Sequence, residues 1–149
     1  MAITLPRTGV KWQDDQHRTL FETFDKLEKS LAKKDKAEIE TVILFLSDYV
    51  EDHFKQEEEV MRAANFSGLS EHLDEHTRFQ NMIEKIKINW FSTLDDDLID
   101  FFEEFSDLVD DTKEEIPNEL YFFLSIWFTI HIKRLDQTLG KFMIQNKVT

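Results

Sequence analysis

The sequence predicts an all-α protein, an antiparallel up-down four-helix bundle with one extra acidic amphipathic helix before the last bundle helix. Its 149 residues suffice for one domain with a sizeable core but not for two ordinary domains, so residues 1–149 are expected to form a single domain. Only three glycines and two prolines interrupt the chain, which favours long helices over many short strands. Apolar residues recur along these segments at helical spacing.

Two helices are expected in the first half of the chain, at about residues 12–32 and 35–64. Each carries an apolar stripe that repeats at the period of an α-helix with one buried face. Asn65 and Gly68 tolerate the left-handed backbone geometry that ends many helices. A tight connection is therefore expected after the second helix.

Three more helices are expected in the second half. Ser70 is a suitable N-cap for a helix at about residues 70–91, and Pro117 suits the first position of a helix at about residues 117–145. Between them, an acidic amphipathic segment at about residues 94–112 is expected to form a solvated helix packed on the bundle, or a surface for self-association or for a protein partner.

Charge and composition narrow the possible partners. The net charge of −13 has the wrong sign for binding nucleic acid or an anionic membrane surface. The chain contains no cysteine, so any metal must be held by nitrogen and oxygen ligands. The N-terminus does not resemble a secretory signal and the longest apolar run, Leu120–Ile130, is about half of what a membrane span needs, so a cytoplasmic, water-soluble protein is expected.

All five histidines lie on predicted inward stripes, and Glu57 follows His53 by one helical turn on such a stripe. Burying a polar group without a partner costs about 1–3 kcal/mol, and a buried carboxylate needs a cation. A metal ion would supply that charge. Residues four apart on one helix face can converge on a common point, as the ligands of one metal ion must. The candidate ligands are His17, His53, Glu57, His72, His76 and His131.

Five imidazole nitrogens and two or more carboxylate oxygens exceed what one four-coordinate zinc ion can use. Two metal ions bridged by carboxylates fit the donor set better. Ferritin-like di-iron bundles place glutamate three residues before each ligating histidine, and no histidine in this sequence has glutamate at that position. That class is disfavoured.

Four successive motifs resemble those of hemerythrins: "DDQHRTLF", "YVEDHFKQEEEVM", "HLDEH" followed by Phe79, and "WFTIHIKRLD". The match spans most of the chain and fills seven ligand positions, the seventh being Asp136. The resemblance implies a non-haem di-iron centre, with two Fe ions joined by an oxo or hydroxo group. Glu57 and Asp136 would bridge the two irons, one of which would be held by His72, His76 and His131 and the other by His17 and His53.

The resemblance also implies reversible O₂ binding, as an oxygen carrier, store or sensor. O₂ would bind at the iron with fewer histidines, in an apolar pocket that excludes water. Phe128 stands where many hemerythrins carry leucine, and its larger ring is expected to narrow the pocket. The family's pocket positions correspond to Leu20, Phe54, Trp127, Phe128 and Ile132.

Asp136 imposes a condition on the last helix. It follows His131 by five positions, about 140° around a regular α-helix. Both side chains can reach one metal pair only if they lean inward or if a π-type bulge widens the turn. A regular helix with Asp136 turned to solvent would contradict its assignment as a ligand.

Three other functions remain open at this point. The same centre could reduce peroxide or O₂, although the five pocket residues include no acid or base. "HLDEH" also fits a zinc peptidase with Glu75 as general base, a short pattern that leaves the other histidines unexplained. A metal-free structural bundle would leave buried ligand atoms without partners.

The remaining acidic residues of the runs Glu57–Glu59 and Asp95–Asp97 are expected to be solvated.

Overall fold

The computed structural model describes residues 5–92 and 116–148, and within these ranges it contains helices and no strands. The four bundle helices lie within one residue of the predicted bounds at each end. The predicted acidic helix at residues 94–112, with its proposed surface for self-association or a partner, lies outside the described residues, as do Asp95–Asp97. The helices are α1 (Lys11–Lys33), α2 (Lys36–Ala63), α3 (Leu69–Ser92), and α4 (Ile116–His131), which continues through a π-helical turn (Ile132–Asp136) into α5 (Gln137–Gln145).

Short connections reverse the chain between the first three helices. Lys34 adopts a left-handed conformation after α1, and the Asp35 side chain then accepts a hydrogen bond from the Glu38 backbone N–H at the start of α2. Asn65 takes the left-handed position after α2, as the sequence predicts. The reversals make α1, α2 and α3 successively antiparallel.

Ser70 is not the N-cap of α3, contrary to the prediction. The helix begins at Leu69, and the Gly68 carbonyl accepts the hydrogen bond from the His72 backbone N–H at 3.1 Å. Leu69 packs against the buried cluster around Met61, which favours a helix that starts at this residue.

The helices pack as a bundle in which α1 contacts α2 and α4, and α2 contacts α3. The segment from α4 to α5 runs antiparallel to α1: Gly140 lies beside Thr8 at one end, and Phe128 contacts Phe21 further along. A large apolar core fills most of the bundle. A smaller apolar cluster around Met61 closes one end, so the polar residues between the two clusters are enclosed on both sides.

The chain before α1 closes the end of the bundle next to the smaller cluster. Asp14 accepts hydrogen bonds from the backbone N–H groups of Thr8 and Gly9 at 2.8 and 3.2 Å. Gly140 allows this close approach, because a Cβ at that position would lie 2.9 Å from the Thr8 carbonyl oxygen. None of the helices in the described ranges has the length and apolar character required to cross a membrane.

The core can be tested with two leucines on the same helix. Leu46 is 1% exposed and Leu44 is 39% exposed. Leu46→Ala is expected to lower the free energy of unfolding by about 2–5 kcal/mol because it leaves a cavity in the core. Leu44→Ala is expected to change it by less than about 0.5 kcal/mol. Urea unfolding followed by circular dichroism measures both; similar losses would contradict the assigned face of α2.

Candidate metal centre

Four segments of the bundle bring all seven predicted ligands together. α1 contributes one histidine, α2 a histidine and a glutamate, α3 two histidines, and α4 with its π-helical turn a histidine and an aspartate. Each residue is at most 1% exposed, so these polar groups are buried as the sequence predicts. They are His17, His53, Glu57, His72, His76, His131 and Asp136.

The π-helical turn brings Asp136 to the same side of its helix as His131. The chain adopts π-helical geometry over Ile132–Asp136, and the prediction of either an inward lean or a π-type bulge is confirmed in the second form. His131 Nε2 lies 3.1 Å from Asp136 Oδ1, and Asp136 is fully buried. A regular α-helix would have turned this carboxylate away from the imidazole.

The ligand atoms form two groups that share both carboxylates. Within each group, every residue offers one donor atom, and these atoms lie within 4.8 Å of one another. Glu57 and Asp136 belong to both groups, which we call the three-histidine group and the two-histidine group. The three-histidine group contains His72, His76 and His131, and the two-histidine group contains His17 and His53.

Glu57 divides its two oxygens between the groups. Oε1 lies 3.1 Å from His76 Nε2 and 3.6 Å from His72 Nε2. Oε2 lies 3.3 Å from His53 Nε2 and 3.8 Å from His17 Nε2. The carboxylate therefore spans the space between the two sets of imidazoles.

Asp136 divides its oxygens in the same way. Oδ1 lies 2.8 Å from His72 Nε2 and 3.1 Å from His131 Nε2, both in the three-histidine group. Oδ2 lies 3.0 Å from His17 Nε2 in the two-histidine group. Each of the two carboxylates therefore presents one oxygen to each group.

The spacing and the unpartnered atoms fit metal ions. Ligands about 2.1 Å from a metal and at right angles to one another are about 3.0 Å apart, close to most of these distances. Among the buried atoms without a hydrogen-bond partner are the Nε2 atoms of His17, His53, His76 and His131, and one oxygen of each carboxylate. A donor set of imidazole and carboxylate suits iron, zinc, copper or manganese.

The surrounding imidazoles keep both carboxylates ionised. Burial raises the pKa of Glu57, but the charges and hydrogen bonds of the adjacent histidines outweigh burial and hold the pKa well below its usual range. Burial and the nearby charge of Glu57 raise the pKa of Asp136, and contacts with His131 and His17 again outweigh them. Two negative charges are therefore enclosed in the core.

The pKa values of the histidines shift in different directions, because burial lowers them and the nearby carboxylates raise them. Burial lowers the pKa of His17 and His72, but the two carboxylates raise these values to about 9 and about 10. Burial likewise lowers the pKa of His131, and mainly Asp136 raises it to about 9. For His53 burial dominates and lowers the pKa to about 4. Without a cation, protons on the imidazoles balance the carboxylates; a bound metal would replace those protons, because a ligating imidazole is neutral.

Four further polar residues support the cluster, and sequence reasoning did not identify them in this role. Gln13 is fully buried and donates a hydrogen bond to Glu57 Oε2 at 2.9 Å. Gln13 could have been found, because it precedes His17 by four residues and shares its inward face. The other three contact the outer nitrogens, Nδ1, of histidines and come from different helices, so their spacing along the chain gives no signal; they are Gln16, Glu58 and Glu75.

Glu58 corrects the expectation that the rest of its acidic run is solvated. Its Oε2 lies 2.8 Å from His76 Nδ1, and its side chain is 19% exposed. Glu59 is exposed, as expected. Glu75 accepts a hydrogen bond from His131 Nδ1 at 3.1 Å, and this bond is the main cause of its lowered pKa; Glu75 also pairs with Arg134.

The five predicted pocket residues lie on the main-core side of the cluster. Phe54 stacks on His76 with ring centroids 3.7 Å apart, and Trp127 stacks on His131 at 5.1 Å. The Phe128 ring lies 5.6 Å from the rings of both His17 and His131. The other two members, Leu20 and Ile132, are fully buried in the same core.

The fold and the cluster together define a class: a four-helix bundle whose buried His/Glu/Asp residues can hold metal ions. The family model described as "Hemerythrin HHE cation binding domain" matches residues 8–142. The chain therefore belongs to the hemerythrin family, and the resemblance found in its sequence motifs is confirmed.

Individual relatives agree with this assignment. The chain is 26% identical over 133 residues to a bacteriohemerythrin of Methylococcus capsulatus, with 89% of this chain and 87% of the relative covered. It is 25% identical over 139 residues to a bacteriohemerythrin of Aquifex aeolicus, with 91% and 90% covered.

Solved structures confirm the predicted fold. A wild-type hemerythrin crystal structure superimposes with a TM-score of 0.73 at 23% identity, covering 94% of this chain and 97% of the other. A crystal structure described as that of a leucine-to-phenylalanine mutant gives the same TM-score at 25% identity, covering 95% and 97%.

Metal addition is expected to stabilise the metal-free protein. A divalent ion such as Co²⁺ that binds only the folded chain adds about 2.7 kcal/mol of stability at a hundredfold excess over its dissociation constant. Glu57→Gln removes one of the two buried negative charges and should reduce the metal-induced rise in melting temperature sharply. Differential scanning calorimetry measures this rise. Glu59→Gln is the matched control, and a loss of the same size in both variants would contradict the assigned role of Glu57.

Proposed function

We propose that this protein binds O₂ reversibly at a non-haem di-iron centre, as an oxygen carrier, store or sensor. In this proposal, His72, His76 and His131 hold one iron, and His17 and His53 hold the other. Glu57 and Asp136 bridge the two irons, which an oxo or hydroxo group also joins. Membership of the hemerythrin family supports the choice of iron and of O₂.

The observation that carries the proposal is the division of the carboxylate oxygens. Glu57 and Asp136 each place one oxygen beside the three-histidine group and the other beside the two-histidine group. A single metal ion would not require this arrangement, whereas two ions side by side would use all four oxygens. Because the two-histidine position has fewer protein ligands, a metal ion there would keep a coordination position open to a small molecule.

When bound, the two irons would supply the electrons that O₂ binding requires. The protein contributes the surroundings. Phe128 lies against both His17 and His131, and Phe54 covers His76, so apolar rings border the donor atoms. Such a lining excludes the water and protons that would help a reduced oxygen species leave.

The main alternative is an enzyme that reduces peroxide or O₂ at the same centre. Proton delivery to the reacting oxygen would need an acid or base within hydrogen-bond reach. The five lining residues, Leu20, Phe54, Trp127, Phe128 and Ile132, include none. This absence favours binding and release over reduction.

The geometry also disfavours a zinc peptidase. A general base must face the metal-bound water. Glu75 instead accepts from the outer nitrogen of His131 and pairs with Arg134 on the far side of that imidazole. Its carboxylate supports a histidine and is directed away from the donor atoms.

The first experiment is to measure iron per chain and to record the visible spectrum through cycles of anaerobic reduction, exposure to O₂ and removal of O₂. Two irons per chain are expected, with colour that appears with O₂ and disappears when O₂ is removed. Two irons that oxidise once without releasing O₂ would overturn the proposal in favour of reduction chemistry. A single zinc ion with no oxygen-dependent colour would overturn the di-iron assignment.

Phe128→Leu tests the pocket. The smaller side chain opens space beside His17 and His131, so water should enter more readily and the oxygenated form should oxidise irreversibly faster. An increase on the order of tenfold corresponds to about 1.4 kcal/mol in the barrier. Stopped-flow spectroscopy and the decay of the oxygenated spectrum measure the effect. Phe21→Leu, which changes a partly buried ring next to Phe128, is the control. Equal increases in the decay rate of the oxygenated form in both variants would contradict the assignment of Phe128 to the pocket.

A further inference from the structure

The five histidines differ in what their outer nitrogens contact. His76 Nδ1 lies 2.8 Å from Glu58 Oε2, and His131 Nδ1 lies 3.1 Å from Glu75 Oε1. A carboxylate can only accept, so both imidazoles donate from Nδ1 and direct the lone pair of Nε2 towards the centre. Both of these histidines belong to the three-histidine group.

The two-histidine group has a neutral partner instead. His53 Nδ1 lies 2.6 Å from Gln16 Oε1, while the Gln16 amide nitrogen donates to Gln56 Oε1 at 2.7 Å, which fixes the orientation of the amide. The Nδ1 atoms of His17 and of His72, the remaining member of the three-histidine group, are buried and have no hydrogen-bond partner among the described residues. One group is therefore supported by two anionic acceptors and the other by a single neutral acceptor.

Both anionic acceptors also have a cationic neighbour. Glu75 pairs with Arg134, which also reaches Glu71 at 3.1 Å. Glu58 lies 3.8 Å from the Arg62 guanidinium. The side chains of Glu58 and Glu75 are 19% and 14% exposed, so solvent screens their effect on the imidazoles only in part.

An acceptor at the outer nitrogen of a ligating histidine orients the ring and raises its basicity, and loss of such an acceptor typically lowers metal affinity 10–100-fold. A charged acceptor forms a hydrogen bond about twice as strong as a neutral one. We propose that Glu58 and Glu75 are positioning residues that make the three-histidine position the high-affinity metal site. The two-histidine position, supported by Gln16, is the labile one, so the two metals load and leave in a fixed order.

This inference rests on the proposed di-iron centre, and metal release tests it without any O₂ measurement. Protein loaded with two equivalents of Co²⁺ is mixed with excess chelator, and loss of the cobalt absorption bands is followed in time. Two phases of equal amplitude are expected. Glu58→Gln and Glu75→Gln should each accelerate the slow phase about tenfold or more and leave the fast phase unchanged. Gln16→Glu should slow the fast phase.

Two matched controls separate position from charge. Glu59→Gln removes an exposed charge next to Glu58, and Glu71→Gln removes the other carboxylate that contacts Arg134. Each of these two variants should leave the slow and the fast phase of cobalt release unchanged. The melting temperature of each metal-free variant identifies folding defects, and cobalt absorption during a titration shows whether the first equivalent still occupies a single environment.

The outcomes distinguish the inference from the proposed function. Uptake of fewer than two cobalt ions by the unmodified protein would overturn the di-iron proposal itself. Two bound ions whose release phases are unchanged, or accelerated equally, in Glu58→Gln and Glu75→Gln would overturn only the inference. Selective acceleration of the slow phase by both variants, together with slowing of the fast phase by Gln16→Glu, would establish it.

Discussion

Two ionised carboxylates enclosed among five imidazoles are the constraint on which the rest of the structure depends. Glu57 and Asp136 are fully buried, and enclosing such charges without compensation costs several kcal/mol each. Compensation requires donors from every helix of the bundle at once: His17 from α1, His53 from α2, His72 and His76 from α3, and His131 from α4. The relative register of the helices is therefore set by the cluster as much as by apolar packing, since a shift of one turn would leave a carboxylate unpaired.

The bundle gives the two sides of this cluster different chemistry. Towards the main core the imidazoles meet aromatic rings, among them Phe54 on His76 and Trp127 on His131. Towards the closed end, Gln13 donates to Glu57 beside a small apolar cluster. An apolar face lets a neutral gas approach while water is excluded, and a polar face keeps the carboxylates in place. These are the surroundings that the proposed reversible binding of O₂ requires.

The bundle fold is shared with proteins of low sequence identity. Identity to the compared proteins is only 23–26%, yet the wild-type hemerythrin structure superimposes with a TM-score of 0.73. Apolar core positions tolerate exchange when volume and pattern are kept. A buried ligand has no such freedom, because a substitution leaves its partners charged or unpaired. Variation at a core position such as Phe128, whose ring lies against His17 and His131, can then change the surroundings of the cluster while the helices stay in place.

The sequence by itself determined the positions of the four bundle helices, their inward faces and six of the ligand candidates, because helical periodicity along one chain segment places both the apolar stripe and the polar residues that share it. The seventh candidate, Asp136, came from the resemblance of its motif to those of hemerythrins. The spacing of His131 and Asp136 predicted either side chains that lean inward or a π-type bulge, and the structure shows that it is the bulge. The contacts of Glu58, Glu75 and Gln16 with histidines were decided by the tertiary structure alone. They join residues 18, 56 and 37 positions apart, and no local pattern specifies which outward-leaning side chain will meet which imidazole once two helices pack.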